Sequence, residues 1–376
     1  MNQVLILGGY GNFGSRIAAA LVKNNISVII AGRELKKAQT LRNKLKRDAA
    51  ENMIAVVAFD ANKELDKQLE LLNPTVVINT IGPFQTADYS IAKICIQHNI
   101  HYIDLADARD FVTGITCLDS LAKENNVLVV SGASTVPGLS SAVLDHYKNN
   151  FATMDSLIYG ISPGQKAPRG LATTESILTY LGKPLKTWGN HNQIYFGWQD
   201  IYRQKYPELG NRWMANCDIP DLDLFTDKYG LKNIRFSAGM ESSALHLGMW
   251  IMSYLVRLGL PLNLSKHTKF LLSLSHIFDS FGTENGGMHM LMKGEGKKEK
   301  LIEIKWFIIA KNNDGPQIPC VPAIILSKKI IQGSLHASGA MPCVGMITLD
   351  EYMKELEGFS IKQHVIIDDS QIYGRI

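Results

Sequence analysis

The sequence predicts an α/β fold: a doubly wound parallel sheet followed by a second, α+β domain. Three observations carry this. Short, wholly apolar runs alternate with helical periodicity through the first 150 residues, a glycine-rich turn closes the first run, and the rhythm is lost beyond it. At 376 residues the chain is long enough for two full cores, assigned here to residues 1–150 and 151–376.

Val4-Leu5-Ile6-Leu7 reads as a strand covered on both faces. After Gly8 the apolar period changes, with Gly14, Ile17, Ala18 and Leu21 on one helical face until Asn24-Asn25 stops it. Ser27–Ala31 is the next strand. The segment from Glu34 to Arg47 follows as a helix with Leu35, Ala38, Leu41 and Leu45 as its apolar stripe. Further strands are read at Ile54–Phe59, Thr75–Asn79, His101–Leu105 and Val127–Val130, with helical stretches at Glu64–Leu72, Tyr89–His98 and Thr116–Glu124 between them. Repeated units of this kind connect right-handedly into a parallel sheet. In the second domain the expected strands are Ser156–Ile161, Asn233–Ser237, Gly287–Met292 and Leu301–Ala310, and Lys293–Lys300 reads as a hairpin tip. Expected helices there are Ser243–Leu258, His267–Phe281 and Pro319–Gln332.

Composition narrows the function class. Apolar residues make up 46% and charged residues 20%, a globular balance that excludes a mainly disordered or fibrous chain. A formal charge of +4 gives no general argument for nucleic acid or an anionic membrane, so no nucleic-acid partner is expected. Five cysteines without close pairs or zinc spacing fit a reducing compartment. Met1-Asn2-Gln3 enters an apolar run without a basic start, so a cytoplasmic location is expected. His246 and Arg257 interrupt the most apolar stretch, leaving Leu247–Val256, far short of the roughly 20 residues of a transmembrane span.

Gly9-Tyr10-Gly11-Asn12-Phe13-Gly14 matches G-x-G-x-x-G directly after the first strand and at the opening of a helix. Such a turn admits a pyrophosphate to bare backbone, and the helix N-terminus offers it unpaired N–H groups, so a dinucleotide is the expected ligand. An NAD ribose is normally held by a carboxylate at the end of the second strand. Here that strand ends Ala31-Gly32-Arg33, which puts a guanidinium where a 2′-phosphate would lie and favours NADP over NAD. Seven basic residues (Arg33, Lys36, Lys37, Arg42, Lys44, Lys46, Arg47) stand against Glu34 alone in this segment. Arg33, Lys36 and Lys37 are the phosphate candidates, while Glu34 is the residue that would instead suit an NAD ribose. Later strand ends line the same crevice. Asp60 is placed near adenine, Asn79, Thr80, Ile81, Gly82, Pro83 and Phe84 beside the dinucleotide, and Ala133 with Ser134 after the sixth strand.

These stretches carry a family resemblance. GGYGNFG at 8–14, AGR at 31–33, NTIGPFQ at 79–85, YIDLADARDFV at 102–112 and SGASTVPGLSSAVLD at 131–145 occur in an order and spacing that resembles the saccharopine dehydrogenase-like family of NADP-binding oxidoreductases. The resemblance covers roughly residues 1–150. It implies a Rossmann-type domain, then an α+β domain supplying substrate and usually homodimer contacts, with a late helix, here 319–332, returning to the first domain. It also implies a small-molecule substrate, an imine, amino-acid-like compound or apolar carbonyl, and does not choose among them.

Hydride chemistry belongs to the cofactor, so the protein must orient substrate and move a proton. Asp104 and Asp107, at the end of the fifth strand with Asp110 beyond, are the catalytic candidates; the competing reading is that they bond backbone amides. Between Trp188 and Trp213 seven aromatic residues fall in 26 positions, several times the share expected from 8% overall. With His191, Trp198, Asp200 and Arg203 this stretch reads as a substrate cover, or as packing in a loop-rich domain. Asp218, Asp221, Asp223 and Asp227 lack histidine or cysteine partners and read as turn and cap residues, so no metal is expected. Gly160-Ile161-Ser162-Pro163-Gly164 mimics a nucleophile elbow, but Pro163 has no N–H for an oxyanion. The alternative from another class is a non-catalytic NADP(H)-binding sensor or scaffold.

Overall fold

The run Val4–Leu7 lies buried on both faces inside a parallel sheet, as its unbroken apolar character requires. The computed structural model describes residues 2–46, 53–186, 193–260, 263–296 and 300–368, the side chains of Ala172 and Thr173 apart. In chain order the strands are β1 (Gln3–Leu7), β2 (Ser27–Gly32), β3 (Ile54–Ala58), β4 (Val76–Asn79), β5 (His101–Asp104), β6 (Leu128–Ser131) and β7 (Phe151–Ser162). They continue with β8 (Tyr202–Tyr206), β9 (Gly210–Asn216), β10 (Asn233–Met240), β11 (Gly286–Gly296), β12 (Leu301–Ala310), β13 (Gly339–Pro342) and β14 (Ile361–Asp368).

The chain forms two compact units, Met1–Leu144 with Pro316–Leu356, and Asp145–Gly315 with Glu357–Ile376. In the first, all strands run parallel in the order β13-β6-β5-β4-β1-β2-β3. The chain reverses its direction of winding between β1 and β4, the switch point at which such sheets bind ligands outside their carboxyl ends. On one face Leu5, Leu7, Val77 and Tyr102 pack with Leu65, Leu69, Cys95 and Ile96 of the helices Ala61–Leu72 and Ser90–Gln97. The helix expected over 319–332 spans Val321–Ile331, packs against the helix Asn12–Lys23, and leads into β13, a strand the sequence did not signal. The stripe expected on the second helix is only partly used. Over Leu35–Leu45 Ala38 is buried, Leu41 and Leu45 are half-buried and Leu35 is exposed.

The second unit is built on a mixed sheet, β14-β12-β11-β7-β10-β9-β8, in which only β7 and β10 pair in parallel. β8, β9 and β14 were not foreseen. β11 and β12 close as a hairpin through the Gly296 N–H to the Lys300 carbonyl at 2.7 Å, its tip lying outside the described residues. The acidic run ends in a helix, Asp221–Tyr229, whose first turn carries Asp221 and Asp223, where carboxylates favour the helix dipole.

Candidate functional site

Gly8 follows β1 with φ 72°, and a Cβ there would sit 2.7 Å from Thr80 Oγ1, so the ends of β1 and β4 touch only because this residue has no side chain. The Gly11 N–H donates to the Gly8 carbonyl at 2.8 Å, which closes the turn. A Cβ at Gly14 would lie 2.5 Å from that same carbonyl oxygen, so this glycine lets the helix Asn12–Lys23 start hard against the loop. No side chain caps that helix and no carboxylate lies in its first turn. The result is a side-chain-free cradle with open N–H donors, the form a pyrophosphate group fits.

Tyr10 ties the cradle to the end of β2. Its ring lies so close over Gly32 that a Cβ there would come within 2.4 Å of it, and its hydroxyl accepts the Glu34 N–H at 3.0 Å. Glu34 itself is taken up by Lys37, whose Nζ lies 2.6 Å from its carboxylate and whose own pKa that pairing raises. Arg33 and Lys36 are exposed. Asn12 accepts from Arg16 at 2.6 Å, which brings in a cation one turn along the helix that sequence reasoning missed. Phe13 contributes its carbonyl to the buried Cys320 thiol.

Across the switch point Asn79 is buried, donating to the Tyr102 hydroxyl at 3.1 Å and accepting the Ile81 N–H at 3.0 Å. Thr80 bonds the Leu7 carbonyl through both its N–H and its hydroxyl. These bonds leave Ile81 and Gly82 as the open part of the loop, followed by the half-buried Pro83 and by Phe84, which packs on Phe111 at 5.3 Å between ring centres. Asp60 serves as the cap of the helix Ala61–Leu72, accepting the Asn62 N–H at 3.1 Å.

The two aspartates of β5 differ sharply. Asp104 is fully buried, and one carboxylate oxygen accepts the N–H groups of Ala106 and Gly132 and the Ser131 hydroxyl, at 3.0, 2.9 and 2.9 Å. Burial pushes its pKa up to about 6 against the pull of those donors. It joins the ends of β5 and β6, a join that the Ala133 N–H to Asp104 carbonyl bond at 2.8 Å extends. Ala133 is buried and Ser134 half-buried just beyond. Asp107 is only half-buried, accepts from Gln85 Nε2 at 3.3 Å, and is likewise raised by burial.

The residues expected to contact substrate do not form one anchor within their own unit. Trp198 is a core residue, donating to the His246 carbonyl at 3.3 Å. Asp200 accepts from Asn216 Nδ2 at 2.6 Å, and exposed Arg203 lies over Trp213 at 5.3 Å. Trp198 is packed in the core, Trp213 is half-buried, and the hairpin of β8 and β9 occupies much of the stretch. Trp188 and His191, like Arg47, lie outside the described residues. Among the described residues no group of histidine, cysteine and carboxylate side chains could hold a metal, and no helix is long and apolar enough to cross a membrane.

Residues 4–135 match the family described as the saccharopine dehydrogenase NADP binding domain. Apo saccharopine dehydrogenase (L-Glu forming) from Saccharomyces cerevisiae is similar in fold, with TM-score 0.65 over 97% of this chain and 100% of that one, at 13% identity. A dehydrogenase from Chromobacterium violaceum aligns over 83% of this chain and 75% of its own, at 9% identity and TM-score 0.38. No curated protein sequence matches the chain.

Proposed function

We propose, from the match of residues 4–135 to the saccharopine dehydrogenase NADP binding domain, that the protein is an NADP-dependent oxidoreductase acting on a small imine, amino-acid-like or apolar carbonyl substrate. The observation that carries this reading is the uncapped helix start behind Gly9, Gly11 and Gly14, beside an exposed Arg33 at the end of β2. When bound, the nicotinamide supplies the hydride. The N–H groups at the helix start hold the pyrophosphate, Arg33 and Lys36 take the 2′-phosphate, and Tyr10 fixes the wall between them. Asn79 and Thr80 fasten the loop that carries Ile81, Gly82, Pro83 and Phe84 along the dinucleotide. Ala133 and Ser134 border it beyond β6, and Asp60 closes the adenine end.

Preference for NADP over NAD rests on Arg33, exposed at the end of β2, with Glu34 beside it paired to Lys37. Asp104 positions the strand ends and has no open acceptor on its bonded oxygen. Asp107, half-buried beside Gln85 and raised above the usual carboxylate range by burial, is the group we assign to moving a proton. The use of one Asp104 oxygen by Ala106, Gly132 and Ser131, with the other oxygen buried and unbonded, also favours a second reading, NADP(H) binding without turnover. Oxidation of bound NADPH by imines or enals separates the two.

The test is a titration of NADPH and NADH against the native chain and Arg33→Ala. The expected outcome is tighter binding of NADPH, lost by about tenfold or more in the variant with NADH little changed. Equal affinity of the native chain for both nucleotides removes the assignment.

A further inference from the structure

The helix Ser243–Arg257 is apolar on both sides. Its inner side packs Met249, Met252 and Val256 into the core with Trp198 and Leu181. On its outer side Ile251, Tyr254, Leu255 and Leu258 recur at helical spacing, and all four are exposed, Leu258 by 77%. A surface helix ordinarily turns charge outward; here no charged residue precedes Arg257, His246 being buried and neutral. The helical segment that follows, Thr268–Phe281, repeats the pattern. Phe270, Leu274, Ile277 and Phe281 fall on one stripe, with Phe270 67% and Phe281 89% exposed. Of the twenty large apolar side chains exposed among the described residues, nine lie between Ile251 and Phe281, so exposed apolar surface is concentrated on these two segments.

Charge says what covers it. Between Glu241 and Glu284 the cations are Arg257, which donates to Gln199 over the Phe196 ring, and Lys266 and Lys269, and the carboxylate between the two glutamates is Asp279; Glu241 is paired with Arg212 and Glu284 is exposed. Asp279 is already paired with Arg169 and with His276. Lys266 and Lys269 are exposed. A second copy of this chain packed patch to patch would set these cations against their own images. A bilayer of anionic lipid meets both demands, taking the apolar stripes below its headgroups and the lysines among its phosphates. A cleft of ≈ 550 Å³ adjoins the same segment, its wall mixed, with Leu181, Val256, Leu260 and Leu264 beside Thr179, Lys183, Asn263 and Ser265. We propose that the face formed by Ser243–Arg257 and Thr268–Phe281 docks the protein on an anionic membrane surface, lying in the interface without crossing it.

Flotation of the full chain with vesicles of phosphatidylcholine, alone or with about one-third phosphatidylglycerol, tests this. The native chain floats with the anionic vesicles and is released by high salt. Phe270→Glu with Phe281→Glu lowers partitioning by about tenfold or more, and Lys266→Ala with Lys269→Ala by about fivefold per lysine. All these side chains are exposed, so both variants keep the native melting temperature and NADPH affinity, which excludes misfolding as the cause. A native chain that stays in solution, or binds both vesicle types equally, overturns the proposal. So does a native dimer that the phenylalanine variant converts to monomer, since a second copy is then the occupant.

Discussion

In the first unit the fully buried Asp104 stands at the strand ends, whereas in the second unit two histidines are fully buried, His289 in β11 and His246 on the helix Ser243–Arg257. Asp104 is held by three donors and is still pushed up to about 6, because burial penalises its charged form more than those donors favour it. His289 lies between Tyr206 at 2.8 Å and Tyr202 at 3.2 Å, and burial drives it down to about 3. His246, buried with neither ring nitrogen hydrogen-bonded, is driven down to about 4. The same cause acts in both units with opposite consequences for pH. The acid joins the ends of β5 and β6, while the bases are neutral parts of a core.

The largest expected effect follows from the histidines. Their folded pKa values lie below the ordinary 6.5, so under pH 6.5 the unfolded chain binds more protons than the folded one. The stability of the second unit is therefore complete above that value and falls as pH drops towards 4. Near pH 5 the loss is about 2 kcal/mol for each histidine. Amide protection factors, taken against the intrinsic rate at each pH, should fall in β7 and β11 between neutral pH and pH 5, well ahead of those in β4 and β5. Equal protection of both sheets in acid would sink the comparison.

What was legible in the sequence divides along the same line. The first unit's strands are short, doubly covered and bounded by turn residues, so apolar runs such as Val4–Leu7 and Val76–Asn79 announced themselves. β13 escaped because Gly339-Ala-Met-Pro342 has no such run and gains its place only by pairing with β6. In the second unit β8 and β9 were hidden among Tyr202, Tyr206 and Trp213, whose aromatic density reads equally as a cover or as a hairpin. β14 alternates poorly, with Val365, Ile366 and Ile367 all exposed on an edge strand. At the candidate site the glycines were readable from spacing, but the role of Gly8 and the pairing of Glu34 with Lys37 depend on contacts that spacing does not encode.

Asp104→Asn sharpens the contrast with a smaller effect of opposite sign. The variant keeps an acceptor for Ala106, Ser131 and Gly132 and removes the charge. Because the folded pKa is raised, the native chain binds more protons than its unfolded form between about 4 and 6, and it loses stability as pH rises through that window. The asparagine variant lacks this loss. The difference in unfolding free energy between the two proteins should shift by about 2 kcal/mol in favour of the variant from pH 4 to pH 7. Urea melts at both ends of the window measure it, and parallel pH curves would return Asp104 to an ordinary exposed carboxylate.

The smallest effect belongs to the exposed end of the parallel sheet. Glu34 and Lys37 are 2.6 Å apart, but their side chains are 58% and 60% exposed, so solvent screens the pair. Glu34→Gln should leave the melting temperature within error and change NADPH affinity by less than about twofold. Its informative readout is NADH. With Glu34 held by Lys37 and no ribose contact to lose, NADH affinity should not fall. A loss of about tenfold or more would make Glu34 a ribose ligand and would transfer the choice of nucleotide from Arg33 to its neighbour.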